Sequence, residues 1–367
     1  METLPTALST PLPTVWFCAV AVLWIGYLFL EGFDLGVGML MKLFARDEAE
    51  RRVLLNTVGP VWDGNEVWLL TAGGATFAAF PRWYASLFSG LYLPLTLALV
   101  ALIFRAVAFE YRGKIASARW TAAWDWAIGL GSFLAAFCVG AMLALTTTGL
   151  PLDANGDRVG GPFAWFTWYA VLGGLAVVGF ALVHALAFLA LKTDGDVRVR
   201  AHRAFRRWMP LGILPLVVWA VDIQLRNGKW WSWTLTALAA LAALVLWQLA
   251  RRGSEGRAFL LMAAFLSSGA AGIFSAVYPV VLPSTLDPAN SLTVGTASSS
   301  SYTLGLMTVV ALIGLPLVLA YQSWTYWVFR RRITVGSIPT AHNVVPAFLT
   351  RLVTGSHGAE RAPAKEA

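Results

Sequence analysis

The chain has 367 residues, of which 58% are hydrophobic and 13% charged, against about 45–50% and about 25% in an average soluble domain. That gap excludes an ordinary cytosolic enzyme, a disordered regulator and a nucleic-acid binder. The formal net charge of +8 lies between long apolar runs rather than along one face, so it reads as charge flanking a membrane.

A membrane-crossing helix needs roughly 20 mostly apolar residues. In chain order nine such runs are predicted, at 15–44, 53–80, 86–111, 124–148, 164–191, 208–225, 232–250, 258–283 and 304–329. The sixth is the weakest, interrupted by Pro210 and Pro215 and ending near Asp222. Runs of this length exclude barrel strands, so the fold class is an all-α polytopic membrane bundle. Residues 1–14 hold no Lys or Arg, so the positive start of a signal peptide is missing and the first run should be retained. Cys18 and Cys138 make neither a disulfide framework nor a metal motif.

The connections after runs one, three, five and seven, with the C-terminal tail, hold 22 of the 27 Lys and Arg. The opposite side holds four, Arg82, Arg158, Arg226 and Lys229, and Arg105 lies inside the third run. The positive-inside rule then places the N-terminus outside and the C-terminus in the cytoplasm. The expected organisation is one helical bundle domain over 1–332 and a cytoplasmic tail over 333–367 without stable structure. The segments 149–163 and 284–303, rich in Gly, Pro, Ser and Asp, read as outside loops.

Ionisable groups inside membrane runs are costly and usually face the bundle interior. Glu31 and Asp34 are spaced i,i+3 in the first run, and Asp63 and Glu66 in the second, so each pair shares a helix face. At about 1.5 Å per residue, Asp34 and Asp63 lie about 15 Å from the inner ends of their runs. Glu31 and Glu66 lie near 20 Å on the same arithmetic, Arg105 near 9 Å and Glu110 at the inner surface. If the first two runs pack antiparallel, four carboxyls meet at two matching depths. Four carboxylates cannot all ionise beside one Arg in low dielectric, so part of the set should carry protons. An ion or proton path is one reading; buried ion pairs that fix helix packing are the other. Only His184, of four histidines, lies within a run, and a chain holding several haems would show more. His184 is expected to be a hydrogen-bonded core residue.

The same stretches carry a resemblance. EGFDLGVGML (31–40), LNTVGPVWDGNEVWLLTAGGATFAAFP (55–81), FSGLYLP (88–94) and FRAVAFEYRGK (104–114) are similar to subunit II of cytochrome bd quinol oxidase. ALKTDGDVRVRA (190–201), YPVVLPSTLDPANSLTVGTASS (278–299) and TLGLMT (303–308) extend the resemblance through about residue 332. It implies a haem-free, nine-helix subunit of a bacterial cell-membrane enzyme that oxidises quinol and reduces oxygen to water. The haems b558, b595 and d, with the quinol and oxygen sites, are then expected in the partner, subunit I. A small single-helix accessory subunit, membrane lipid and a structural quinone (menaquinone or ubiquinone) are further implied partners. On this resemblance subunit II stabilises the oxidase and contributes a cytoplasmic proton path. The acid of the WDGN motif is Asp63, that of the F-[DE]-Y-R motif is Glu110, and Glu31 stands where many relatives have Asp. Trp62 is the implied quinone contact. The whole path would comprise Glu110, Asp63, Asp34, Glu31, Glu66 and Arg105.

Two other readings stay open. An ion-coupled secondary transporter would use the same carboxyls, but such folds pair broken helices across two halves, and here the polar cluster is confined to runs one to three. A purely structural scaffold would use them only for packing.

Overall fold

The computed structural model describes residues 11–337. It is almost wholly helical. In chain order come α1 (Leu12–Leu43), α2 (Glu48–Val58), α3 (Trp62–Ala79), α4 (Pro81–Gly90), α5 (Tyr92–Tyr111) and α6 (Ala118–Thr148). α7 (Trp168–Lys192), α8 (Gly195–Asn227), α9 (Trp230–Arg252) and α10 (Glu255–Val277) follow. A two-stranded ribbon, β1 (Val280–Leu282) with β2 (Leu292–Thr293), then leads through the single turn α11 (Val294–Ala297) into α12 (Ser301–Val328).

Among the described residues eight helices, α1, α5 to α10 and α12, are long and apolar enough to cross a membrane. The predicted second run is not one of them, because it is broken. Pro60 has no N–H and its ring crowds the carbonyl four residues back, so α2 ends at Val58 and α3 restarts at Trp62. α3 is 18 residues long, about 27 Å, and carries Asp63 and Glu66. The third run breaks likewise at Leu91, three residues before Pro94, leaving α4 apart from α5. The sixth run is longer than expected. α8 is continuous over 33 residues with Pro210 and Pro215 inside it, and its first third, rich in Arg, extends the helix well beyond an apolar span. The eighth run stops at Val277, and its predicted end forms β1.

α7 is the central helix, buried along its length and packed on α1, α6, α8 and α10. Close approach is paid for in side-chain size: a Cβ on Gly36 of α1 would overlap the carbonyl of Ala181, and Gly140 of α6 faces Gly173 of α7 in the same way. α12 is the opposite case, with Leu304 its only buried residue. The loops predicted at 149–163 and 284–303 fold against each other at one end, where Ser284 Oγ donates to the Leu152 carbonyl at 2.8 Å. At the other end the segment after α12 is tied down, since Ile333 N donates to the Lys192 carbonyl at 2.9 Å. The rest of the expected tail, with His342 and His357, lies outside the described residues.

Candidate functional site

The buried carboxyls of α1 collect partners from two other helices. Glu31 and Asp34 are fully buried, as is Arg105 of α5. Arg105 Nη1 lies 2.8 Å from Glu31 Oε1 and donates to Glu66 Oε2 of α3 at 3.0 Å. The guanidinium sits over the Phe109 ring at 5.2 Å, and Phe109 in turn stacks on Trp62 at 4.9 Å. Asp34 Oδ2 accepts from Asn65 Nδ2 at 2.6 Å. The i,i+3 spacing of the α1 carboxyls therefore directs one to Arg105 and the other to α3.

Asn65 is the hub on the second side. Its Nδ2 also donates to the Leu30 carbonyl at 3.2 Å, and its Oδ1 accepts from Gln322 Nε2 and Tyr326 OH of α12, each at 2.8 Å. All four hydrogen-bonding positions of that amide are used. The carboxyl cluster differs. Tyr27 OH, Glu31 Oε2, Asp34 Oδ1, and Arg105 Nε and Nη2 are buried and have no hydrogen-bond partner among the described residues. The Glu31–Arg105 contact is a fully buried ion pair.

The expected meeting of four carboxyls at two depths is corrected in part. Glu31 and Glu66 do converge, on Arg105. Asp63 does not reach Asp34: it is exposed, and Asn65 takes that place. Two residues along a helix turn the side chain by about 200°, so Asp63 and Asn65 occupy opposite faces of α3. The depth arithmetic also assumed one helix from Val53, whereas the break at Pro60 resets the register. Glu110 is exposed as well, about 140° around α5 from Arg105. Trp62 is half-buried. Asn65, Tyr326, Gln322 and Tyr27 were missed because none is charged. A polar residue flanked by Asp63 and Glu66 in an apolar run was the available signal for Asn65.

A second ionic region lies at the cation-rich end of the bundle. Arg112 donates to both oxygens of Glu48 at 2.9 and 2.8 Å and to Asp125 Oδ1 at 2.6 Å. Arg51 adds contacts to Glu48 at 3.2 Å and to Asp125 at 3.5 Å. Partial burial would raise Glu48, but the hydrogen bonds and charges of Arg112 and Arg51 outweigh it and hold the carboxyl below its ordinary value. Arg332 and Arg198 clamp Glu255 at 2.7 and 2.8 Å.

His184 is fully buried, its Nε2 2.9 Å from the Phe29 carbonyl and its ring packed against Phe29, Phe180 and Phe259. Among the described residues no three His, Cys, Asp or Glu side chains are grouped to hold a metal ion.

Known proteins are similar to this chain in sequence and fold. The family described as cytochrome bd terminal oxidase subunit II matches residues 12–329. Cytochrome bd ubiquinol oxidase subunit 2 of Bacillus subtilis is 39% identical over 330 residues, covering 87% of this chain and 96% of that protein. Cytochrome bd-I ubiquinol oxidase subunit 2 of Escherichia coli is 33% identical over 358 residues, covering 87% and 94%. A solved structure of bd oxidase from Geobacillus thermodenitrificans shares the fold, with a TM-score of 0.71 at 19% identity over 87% of this chain and 99% of that one. The chain belongs to the cytochrome bd terminal oxidase subunit II family, and is a multi-pass bacterial membrane subunit of an oxygen-reducing respiratory complex.

Proposed function

We propose that this subunit carries protons from the cytoplasm toward the oxygen-reducing site of the partner subunit I. The path runs through the Glu31, Asp34, Glu66 and Arg105 cluster. Asp63 and Glu110, on the exposed faces of α3 and α5, lie nearer the partner or the cytoplasmic entrance. The observation that carries this reading is the set of buried polar atoms lacking protein partners around Glu31, Asp34 and Arg105. Such atoms call for water, and water between protonatable groups is what proton transfer through low-dielectric protein needs. One guanidinium cannot balance three neighbouring carboxylates there, so the cluster holds protons it can pass on.

The charge distribution supports an outside N-terminus, with α3 as the ninth crossing. Oxidation of quinol, haems b558, b595 and d in subunit I and none in this chain, a structural quinone against Trp62, and a small accessory subunit complete the reading. Confinement of the cluster to α1, α3 and α5 argues against a transporter. In the assembled oxidase Glu31→Gln keeps the size and polarity of the side chain but cannot relay a proton. It should slow oxygen consumption while the haem absorbance of the complex stays unchanged. A wild-type rate across pH 6–8 would make the cluster a packing device.

A further inference from the structure

Asn65 has a chemically fixed orientation. The Leu30 carbonyl carries no proton, so the Asn65 atom 3.2 Å from it is the amide nitrogen. The same nitrogen then donates to Asp34 Oδ2 at 2.6 Å. Asn65 Oδ1 must face α12, and both Tyr326 OH and Gln322 Nε2 must donate to it. The single hydroxyl proton of Tyr326 is committed to that bond, and the amide between Tyr326 and Asp34 does not titrate.

We propose that Asn65 is a positioning residue that makes Asp34 a one-ended proton carrier, with Tyr326 and Gln322 as the clamp that fixes the Asn65 amide. Asp34 Oδ2 meets an N–H donor, so a proton on Asp34 sits on Oδ1. That is the buried oxygen with no protein partner. The titratable and charged groups around Asp34 are Glu31 of α1, Glu66 of α3, Arg105 of α5 and Tyr326 of α12. Asn65 shuts off Tyr326, so exchange is confined to the side of Glu31, Glu66 and Arg105. α12, which buries little else, thereby sets the direction of transfer from outside the carboxyl cluster.

This inference rests on the proton-path reading, and its test separates the two. In the assembled oxidase, infrared spectroscopy records the C=O stretch of protonated carboxyls, and Asp34→Asn identifies the Asp34 band by its loss. Tyr326→Phe combined with Gln322→Leu removes both donors to Asn65 Oδ1 and leaves the amide held only at its nitrogen, by Leu30 and Asp34. The Asp34 band should move, oxygen consumption should fall about fivefold, the rate equivalent of one hydrogen bond of ~1 kcal/mol, and its pH profile should shift. Tyr326→Phe alone, which leaves one clamp and the ring in place, should shift the same band less. A band and pH profile identical to wild type in both variants would overturn the positioning role while Asp34→Asn still tests the path. If Asp34→Asn respires at the wild-type rate but the band moves in the clamp variants, the positioning stands and the path reading fails. Loss of no band in Asp34→Asn would mean that Asp34 carries no proton, and the proposal falls.

Discussion

Two ionic regions of this subunit are built from the same residue types at similar distances and differ in how far their hydrogen bonds are satisfied. Around Arg112, each guanidinium edge meets a carboxylate in good geometry: Glu48 on one side at 2.8 and 2.9 Å, Asp125 on the other at 2.6 Å. Around Arg105, contacts of 2.8 and 3.0 Å to Glu31 and Glu66 leave Nε, Nη2 and Glu31 Oε2 unpartnered among the described residues, in the interior of the bundle. A saturated network has no capacity left to exchange protons and holds helices together. An undersaturated one is costly to stability and persists where exchange is its use. Ion-pair distances alone do not separate the two; burial of the whole Arg105 guanidinium with unpaired nitrogens does.

The comparison breaks if the two regions respond alike to mutation. The largest effect is expected for Glu31→Gln, a loss of about 10²-fold in oxygen consumption, with the complex still assembled because Glu66 stays paired to Arg105. Arg112→Met should do the reverse. It leaves the buried carboxylate of Asp125 with only the 3.5 Å contact to Arg51, costing about 3 kcal/mol, seen as a lower unfolding temperature, while turnover per assembled complex is kept. Asp63→Asn should be intermediate and purely kinetic, slowing oxygen consumption by about tenfold at most, because Asp63 sits on the exposed face of α3 away from Arg105. The smallest effect concerns pH. Glu48 is held below its ordinary value, so its pairing stabilises the fold above the usual glutamate range near 4.5. That contribution is lost as pH falls through the lowered folded value. Its side chain is 48% exposed, so solvent screening keeps the contribution small. Glu48→Gln should flatten the acid limb of the stability profile slightly; an unchanged limb would show that Arg112 draws its hold from Asp125 alone.

Much of this architecture was legible in the amino-acid sequence, for physical reasons that also explain what was not. Apolar length alone locates the membrane helices, and i,i+3 spacing alone pairs Glu31 with Asp34 on one face of α1. The breaks at Pro60 and before Pro94 were hidden because apolar composition runs across them unbroken, although the prolines were in view. The extension of α8 was hidden by the opposite effect, since its Arg-rich start has helical propensity without apolar character. Arg105 beside Glu31 and Glu66 follows from charge demanding charge in an apolar interior. The Asn65 hub could not be read this way: an uncharged amide announces no partner, and Gln322 and Tyr326 lie more than 250 residues further on. Which of Asp63 and Asn65 faces Asp34 depends on the helical phase after Pro60, which composition does not encode.

Proton uptake during a single oxygen-reducing turnover, followed with a pH-indicator dye in the assembled oxidase, tests the central claim most directly. Glu31→Gln should slow proton uptake by at least tenfold while the haem absorbance of the reduced complex matches that of the wild type. Proton uptake at the wild-type rate in Glu31→Gln would contradict it and leave the Arg105 cluster a structural ion pair.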